Sequence, residues 1–202
     1  MADDVQQAVA AIRDGQAVVL PTDTVYGLCA TPYLEEAATL VYRLKGRPDR
    51  MPTALVCSDV EMVFECVPEL RCRPAELTRT LLPGPYTLVL PNPSRRFKWL
   101  SGDRIATIGV RVPNAEGALA EVLGEVGAVL ATSANLHHGA DPSRLEDVPH
   151  ELRDGCAAEI DGGELPGIPS TVIDLTGREP KILREGAVPA TEALERLAAP
   201  AA

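Results

Sequence analysis

The chain has 202 residues, of which 46% are apolar and 24% are charged, the balance of a folded globular protein. Its net charge of −10 argues against a protein that coats nucleic acid non-specifically, because such binding depends on many contacts between basic side chains and phosphates. No stretch approaches the roughly 18 continuous apolar residues of a membrane span, and the acidic N-terminus lacks the apolar core of a signal peptide. We therefore expect a cytoplasmic protein without a membrane partner.

Helices and strands alternate along the chain. Apolar residues at helical spacing predict helices at 3–14, 34–45, 59–67 and 74–82, from Asn114 to about Leu123, after a capping box at Ser143–Glu146, and at 190–198. Short apolar runs predict strands at 17–20, 53–57, 86–90, 105–112, 128–131, 156–160, 170–175 and 181–183. Several connections are too short to hold a helix, so a mixed α/β sheet fits better than a parallel one.

Polar groups follow the first strand. Pro21 ends regular pairing, and the small polar residues 22–24 and Gly27 come next. A buried strand that ends in hydroxyls and a carboxylate commonly aims them into a crevice. The alternative is a turn whose side chains satisfy their own backbone.

Other strand and helix ends carry similar side chains. Thr107 and Arg111 are four residues apart in one strand, so period-two alternation places them on the same face. Comparable positions hold Thr24, Lys45, Arg47, Ser133, Asn135, Ser170 and Arg184. Together they suit a polyanion such as phosphate. Taken singly, each also fits an ordinary structural role, for example Lys45 offsetting a helix dipole.

Known nucleotide fingerprints are missing from the sequence. It contains neither the P-loop pattern, nor G-x-G-x-x-G, nor the G-x-S-x-G nucleophile elbow. Any nucleotide would therefore be held mainly by side chains and irregular loops.

The cysteines show no metal or disulfide pattern. They are Cys29, Cys57, Cys66, Cys72 and Cys156, an odd number without a C-x-x-C pair. The three histidines show no metal spacing with them. We expect reduced, structural thiols and no protein-bound metal site.

Seven motifs occur in a fixed order along the chain. They are P-T-D-T-V-Y-G-L, L-K-G-R-P, L-L-P-G-P-Y-T-L-V-L, G-V-R-V-P, A-T-S-A-N-L, P-S-T-V-I-D-L and L-R-E-G-A-V. In this order the chain resembles the YrdC-like threonylcarbamoyl-AMP synthases, over about residues 5–190. The resemblance implies one domain over 1–202, with a frayed C-terminal tail, built on a twisted open α/β sheet with a concave surface.

The resemblance also implies an activity. Members condense L-threonine, bicarbonate and ATP, with Mg²⁺, into threonylcarbamoyl-AMP and pyrophosphate. A downstream transferase complex passes the threonylcarbamoyl group to an adenosine beside the tRNA anticodon. Any direct contact of the synthase with RNA is expected to be weak.

Residue by residue, the resemblance assigns two subsites. The threonine contacts are Thr24, Arg111, Ala131 and Ser170. The ATP contacts are Lys45, Arg47, Thr107, Ser133, Asn135 and Arg184. No residue is identified as a catalytic base. Two departures concern the same subsites, because Met51 and Val56 stand where many members have Asn and His.

The sequence is also compatible with other functions. The chain resembles the short members, which lack a second domain. A non-catalytic RNA-binding module and a carbamoyl-adenylating enzyme with another acceptor are rival functions. The zinc-binding C-x-x-C repeats of hydrogenase-maturation relatives are missing here.

Overall fold

A computed structural model describes residues 2–48 and 51–198. Its strands are β1 Val18–Pro21, β2 Tyr26–Ala30, β3 Ala54–Cys57, β4 Tyr86–Pro91, β5 Thr107–Arg111, β6 Ala128–Ser133, β7 Ala158–Glu159, β8 Thr171–Asp174 and β9 Lys181–Arg184. Its α-helices are α1 Ala2–Arg13, α2 Glu35–Leu44, α3 Val60–Cys66, α4 Cys72–Leu81, α5 Gly117–Val126, α6 His150–Arg153 and α7 Ala190–Ala198. Short 3₁₀ helices lie at Lys98–Leu100 and Leu145–Asp147. No helix in these described ranges is long and apolar enough to cross a bilayer.

The strands form one twisted open sheet in the order β7-β1-β2-β6-β3-β5-β4-β8-β9. Three pairs, β1/β7, β3/β5 and β4/β8, are parallel, and the other pairs are antiparallel. The prediction of a mixed α/β sheet with flanking helices is therefore confirmed. The end of the predicted tail, residues 199–202, lies outside the described residues.

Strand β2 is the element that the sequence analysis missed. The sequence analysis assigns no element to residues 26–30, because Gly27 follows so closely on polar residues. In the structure they pair with β1 on one side and β6 on the other, and all five are buried. Pairing with a strand 100 residues away outweighs the weak local strand preference of glycine.

Two predicted helix starts are wrong. Helix α5 begins at Gly117 with Glu116 at the N-cap position and not with Asn114, whose backbone N–H donates to the Asp23 carboxylate at 3.1 Å. The capping box also lies one residue later than predicted. The Asp147 carboxylate accepts from the backbone N–H of Arg144 at 3.0 Å, and the helix that follows is a 3₁₀ turn.

The two faces of the sheet are covered differently. One face is packed from β1 to β9 by apolar side chains, with contributions from α2, α3, α4, α6 and α7. On the other face, α1 and α5 pack over β1, β2, β3 and β6. The side chains of β4, β5 and β8 on this second face line a cavity instead. The fold thus leaves part of one sheet face open for a ligand.

Gly186 makes the closest backbone approach near this cavity. A Cβ atom on Gly186 would lie 2.2 Å from the Pro169 carbonyl oxygen and 2.6 Å from the Ser170 carbonyl carbon. Since backbone cannot yield as a flexible side chain does, Gly186→Ala should cost about 1–3 kcal/mol. We expect a thermal denaturation scan to show Tm lowered by roughly 2–12 °C.

Gly124→Ala is the matched control. Gly124 lies within α5, and its Cβ position has open space. Alanine is favoured over glycine in a helix by roughly 0.5–1 kcal/mol, so Tm should stay level or rise. An equal Tm for both variants would contradict the packing described at Gly186.

Candidate functional site

The open part of the sheet face forms a cavity of about 600 Å³. All ten residues that the sequence analysis assigned to substrates line it. They are Thr24, Lys45, Arg47, Thr107, Arg111, Ala131, Ser133, Asn135, Ser170 and Arg184. With the other lining residues, side chains from seven strands, one helix end and several loops meet at one place. Their individual roles stay predictions.

Strand β5 shows how the sheet builds the cavity floor. Thr107, Gly109 and Arg111 line the cavity, whereas Ile108 and Val110 between them are buried in the core of the opposite face. The predicted placement of Thr107 and Arg111 on one face is confirmed. The same alternation brings side chains of β3, β4 and β8 to the floor, which is largely apolar.

The cavity is a basic region in an acidic protein. Five basic residues line it, whereas Asp141 is the one acidic lining residue within the described ranges. The basic residues are Lys45, Arg47, Arg104, Arg111 and Arg184. This local excess of positive charge suits an anionic ligand despite the net charge of −10 on the whole chain.

Arg111 is held by a buried ion pair. Its Nη2 donates to the Asp23 carboxylate and, at 2.9 Å, to the Thr24 hydroxyl. Arg111 is 9% exposed, and loss of hydration lowers its pKa while Asp23 acts in the opposite direction. The guanidinium remains charged because its ordinary pKa is far above neutral. Asp23 and Thr24 thus fix Arg111 at the cavity wall.

Lys45 is buried, and all three of its N–H donors have protein acceptors. The ammonium donates to the Ser133 carbonyl at 2.6 Å, to the Asn135 carbonyl at 2.9 Å and to the Asn135 side-chain oxygen. Loss of hydration and the nearby Arg47 lower the pKa of Lys45 to about 8. Its donors are therefore committed to the loop after β6, and Lys45 positions that loop.

Two further arginines use only some of their N–H donors in hydrogen bonds to the protein. Arg47 donates to the Thr132 hydroxyl at 3.1 Å and to the Pro52 carbonyl, and its buried Nε–H has no partner among the described residues. Arg184 donates through Nη2 to the Ser170 carbonyl at 2.8 Å. Loss of hydration lowers the pKa of both arginines. Arg184 and Ser170, assigned to different substrates, are thus in direct contact.

The loop at 137–141 was missed by the sequence analysis. The Asn135 amide donates to the Gly139 carbonyl at 2.7 Å and to the Asp141 carboxylate at 3.1 Å, which folds this loop into the cavity wall. His137, His138 and Asp141 line the cavity as a result. The segment has no helical or strand periodicity, so its proximity to the S-A-N motif was the one available signal.

The two departures from the family pattern also line the cavity. Met51 is 38% exposed there, and Val56 is buried at the floor. Both replace the expected polar side chains by apolar ones. Neither side chain can make the hydrogen bonds of an amide or an imidazole.

None of the five cysteines lines the cavity. All five are free thiols, and only Cys72 is exposed among them. Burial is the main cause that raises the pKa of Cys29 to about 12, which makes this thiol unreactive. Within the described ranges, no group of three or more His, Cys, Asp or Glu side chains is arranged to hold a metal ion.

The chain is similar to known proteins over most of its length. The sequence profile of the Sua5/YciO/YrdC family, described as "Telomere recombination", matches residues 10–186. A putative threonylcarbamoyl-AMP synthase of Mycobacterium tuberculosis (strain ATCC 25618 / H37Rv) is 34% identical over 198 residues. That alignment covers 96% of this chain and 89% of the mycobacterial protein.

An archaeal relative is longer than this chain. The threonylcarbamoyl-AMP synthase of Pyrococcus abyssi is 35% identical over 182 residues, which are 90% of this chain and 53% of that protein. The crystal structure of P. abyssi Sua5 complexed with L-threonine is 33% identical and superposes with a TM-score of 0.87. It covers 95% of this chain and 56% of its own, so this chain spans about half of the archaeal protein.

Removing the Lys45 ammonium should destabilise the fold. Lys45→Met would leave the carbonyls of Ser133 and Asn135 without their donor, and hydrogen bonds to a charged group contribute about 1.5–3 kcal/mol each. Part of this loss is offset because a buried charge is removed. We expect a net loss of at least about 2 kcal/mol, seen as a fall in Tm of roughly 4–8 °C.

Lys98→Met provides the matched control. Lys98 is an exposed residue of the 3₁₀ turn Lys98–Leu100, so its replacement should shift Tm by little. Lys45→Met with a Tm within about 1 °C of wild type would show that the ammonium does not organise the loop after β6.

Proposed function

The chain belongs to the Sua5/YciO/YrdC family, and on that premise we propose that it condenses L-threonine, bicarbonate or CO2, and ATP into threonylcarbamoyl-AMP, with release of pyrophosphate. One observation supports this proposal most directly. A single cavity joins several cations to the buried hydroxyl groups of Thr24 and Ser170. Such a cavity has the groups needed to hold a triphosphate beside a small hydroxylated amino acid.

The threonine subsite is proposed around Arg111. Asp23 and Thr24 occupy its Nη2, while its Nη1 makes no hydrogen bond to any residue of 2–48 and 51–198. We assign Nη1 to the substrate carboxylate. The hydroxyl groups of Ser170 and Thr87 lie 2.7 Å apart near Arg184. We assign this pair to the side-chain hydroxyl of the threonine substrate.

The ATP subsite is proposed around Arg47 and Arg184. The guanidinium of Arg47 lies beside Thr132 and that of Arg184 beside Ser170, so the two arginines reach the cavity from different elements, the turn after α2 and strand β9. Both would offset the charge of the phosphates. Lys45 contributes through the loop that it positions, because its own donors are already in use.

Mg²⁺ would enter with ATP, and it supplies charge neutralisation at the phosphates. Asp141 is the one carboxylate among the described lining residues. One carboxylate together with substrate phosphates is a common Mg²⁺ environment, so the residues present fit this ion. Asp141 would face it from the loop that follows Asn135.

The reaction divides into two steps. The neutral amine of threonine attacks CO2 and loses a proton, which gives a carbamate. A carbamate oxygen then attacks the α-phosphorus of ATP, and pyrophosphate leaves with the electrons of the broken P–O bond. Positioning and charge neutralisation therefore account for most of the catalysis that the chain must supply. We assign no residue as the general base.

The product would be the substrate of a second enzyme. Threonylcarbamoyl-AMP is a mixed anhydride and an activated acyl donor, so we propose that a threonylcarbamoyl-transferase complex uses it to modify a tRNA adenosine in the cytoplasm. This step is what the resemblance implies, since the names of the relatives give only the product, threonylcarbamoyl-AMP.

Pyrophosphate release tests the proposal. Purified protein is incubated with L-threonine, bicarbonate, ATP and Mg²⁺, and each component is omitted in turn. We expect release from the complete mixture and a fall to background when threonine or ATP is absent. Omission of bicarbonate should lower the rate to what dissolved CO2 supports.

Two results would count against the proposal. Equal release without threonine would indicate a simple ATP hydrolase. Steeply salt-dependent binding of RNA without any turnover would favour a non-catalytic RNA-binding module.

A further inference from the structure

A tight turn at residues 136–139 carries an unusual backbone conformation. The backbone N–H of Gly139 donates to the Leu136 carbonyl at 2.8 Å, which closes a four-residue turn. His138, at the third position, has a φ of 69°. A turn with positive φ at this position normally has glycine there, because a Cβ atom is strained in the left-handed region. The chain holds a histidine where glycine would be unstrained.

The surrounding structure maintains this strain. The backbone N–H of His137 donates to the Lys45 carbonyl at 3.0 Å, and the Asn135 amide donates to the Gly139 carbonyl at 2.7 Å. Both ends of the turn are therefore fixed to buried residues. Strained residues are more frequent at functional sites, and of the four non-glycine residues with positive φ in the described ranges, His138 is the one that lines the cavity.

The turn presents two stacked rings to the cavity. The imidazole centroids of His137 and His138 are 3.8 Å apart, and the planes meet at 31°. Within residues 2–48 and 51–198, they are the only aromatic side chains that line the cavity. Loss of hydration, together with His138, Arg47 and Lys45, holds the pKa of His137 below its usual value.

We propose that His137 and His138 form a stacking platform for the adenine base of ATP. The inference rests on the proposed function, since it takes ATP as the ligand. A purine base binds favourably on a π-surface, and among the described lining residues the imidazole pair is the aromatic surface available. The same turn adjoins Lys45 and Arg47, so a nucleotide on the platform would keep its phosphates near the basic residues.

His138→Gly separates stacking from structure. Glycine accepts a φ of 69° without strain, so Tm should stay level or rise. Loss of the His138 ring should weaken binding of a non-hydrolysable ATP analogue by roughly 5- to 150-fold, the range expected when one aromatic ring under a base is removed. Binding of inorganic tripolyphosphate, which has no base, should change by less than about twofold. Calorimetric titration in the presence of Mg²⁺ measures both ligands.

A second variant should show the opposite pattern. His138→Phe keeps a π-surface and the strained φ, so we expect affinity for the ATP analogue within a few-fold of wild type. Its Tm should not exceed that of wild type. His150→Ala is the control for histidine loss, because His150 opens α6 and is absent from the cavity lining. Neither ligand should bind it differently.

The outcomes distinguish the platform from the proposed function. If wild type binds the ATP analogue and His138→Gly binds it equally well, the platform alone is contradicted. If His138→Gly loses tripolyphosphate and ATP analogue equally, the histidines act on phosphate and the stacking role is again contradicted. If wild-type protein binds no ATP analogue, the proposed function fails and the platform fails with it.

Discussion

The ion pair between Arg111 and Asp23 is the interaction on which the cavity depends. It joins β5 to the loop between β1 and β2, across 88 positions of sequence, and both side chains are almost fully buried. An unpaired charge buried at this position would destabilise the fold, so substitution of either residue alone is expected to be unfavourable. The pair also fixes the loop that carries Thr24 and holds the backbone N–H of Asn114. Through this one buried contact, the loop after β1, the end of β5 and the segment that leads into α5 are held together.

The incomplete cover of one sheet face explains why the polar groups converge. Helices α1 and α5 bury the side chains of β1, β2, β3 and β6, and the floor beyond them is left to β4, β5 and β8. In β4, β5 and β8, alternate residues lie in the core of the fully covered face, and the residues between them line the cavity. The cavity therefore follows from ordinary strand alternation together with two helices, α1 and α5, that do not extend over β4, β5 and β8. Buried cations at its edges, Lys45 above all, then hold the irregular loops in place.

Much of this arrangement could be predicted from local sequence. The apolar runs located eight of the nine strands of the described chain, and period-two alternation placed Thr107 and Arg111 on one face. The seven ordered motifs led to ten residues that line a single cavity. These successes share a cause, because each depends on residues that are close in sequence or on a resemblance that already encodes the fold.

The failures depend on partners that are distant in sequence. Gly27 indicated a turn, yet β6 supplies the pairing that makes β2 a strand. For Lys45, local sequence indicated only a helix end, and nothing near it pointed to acceptors 88 and 90 positions away. Asn114 looked like a helix cap, but Asp23 accepts its backbone N–H. His138 and Asp141 belong to a loop without periodicity, so only the folded chain brings them to the cavity.

The central claim is that this open sheet face recognises threonine beside ATP. The most direct test is calorimetric titration of L-threonine and of L-2-aminobutyrate, which lacks the side-chain hydroxyl, in the presence of Mg²⁺ and a non-hydrolysable ATP analogue. A site built around Thr24 and Ser170 should bind threonine at least about tenfold more tightly, because the analogue leaves buried hydrogen-bonding groups unpaired. Equal affinity for the two amino acids, or no binding of threonine, would contradict the account.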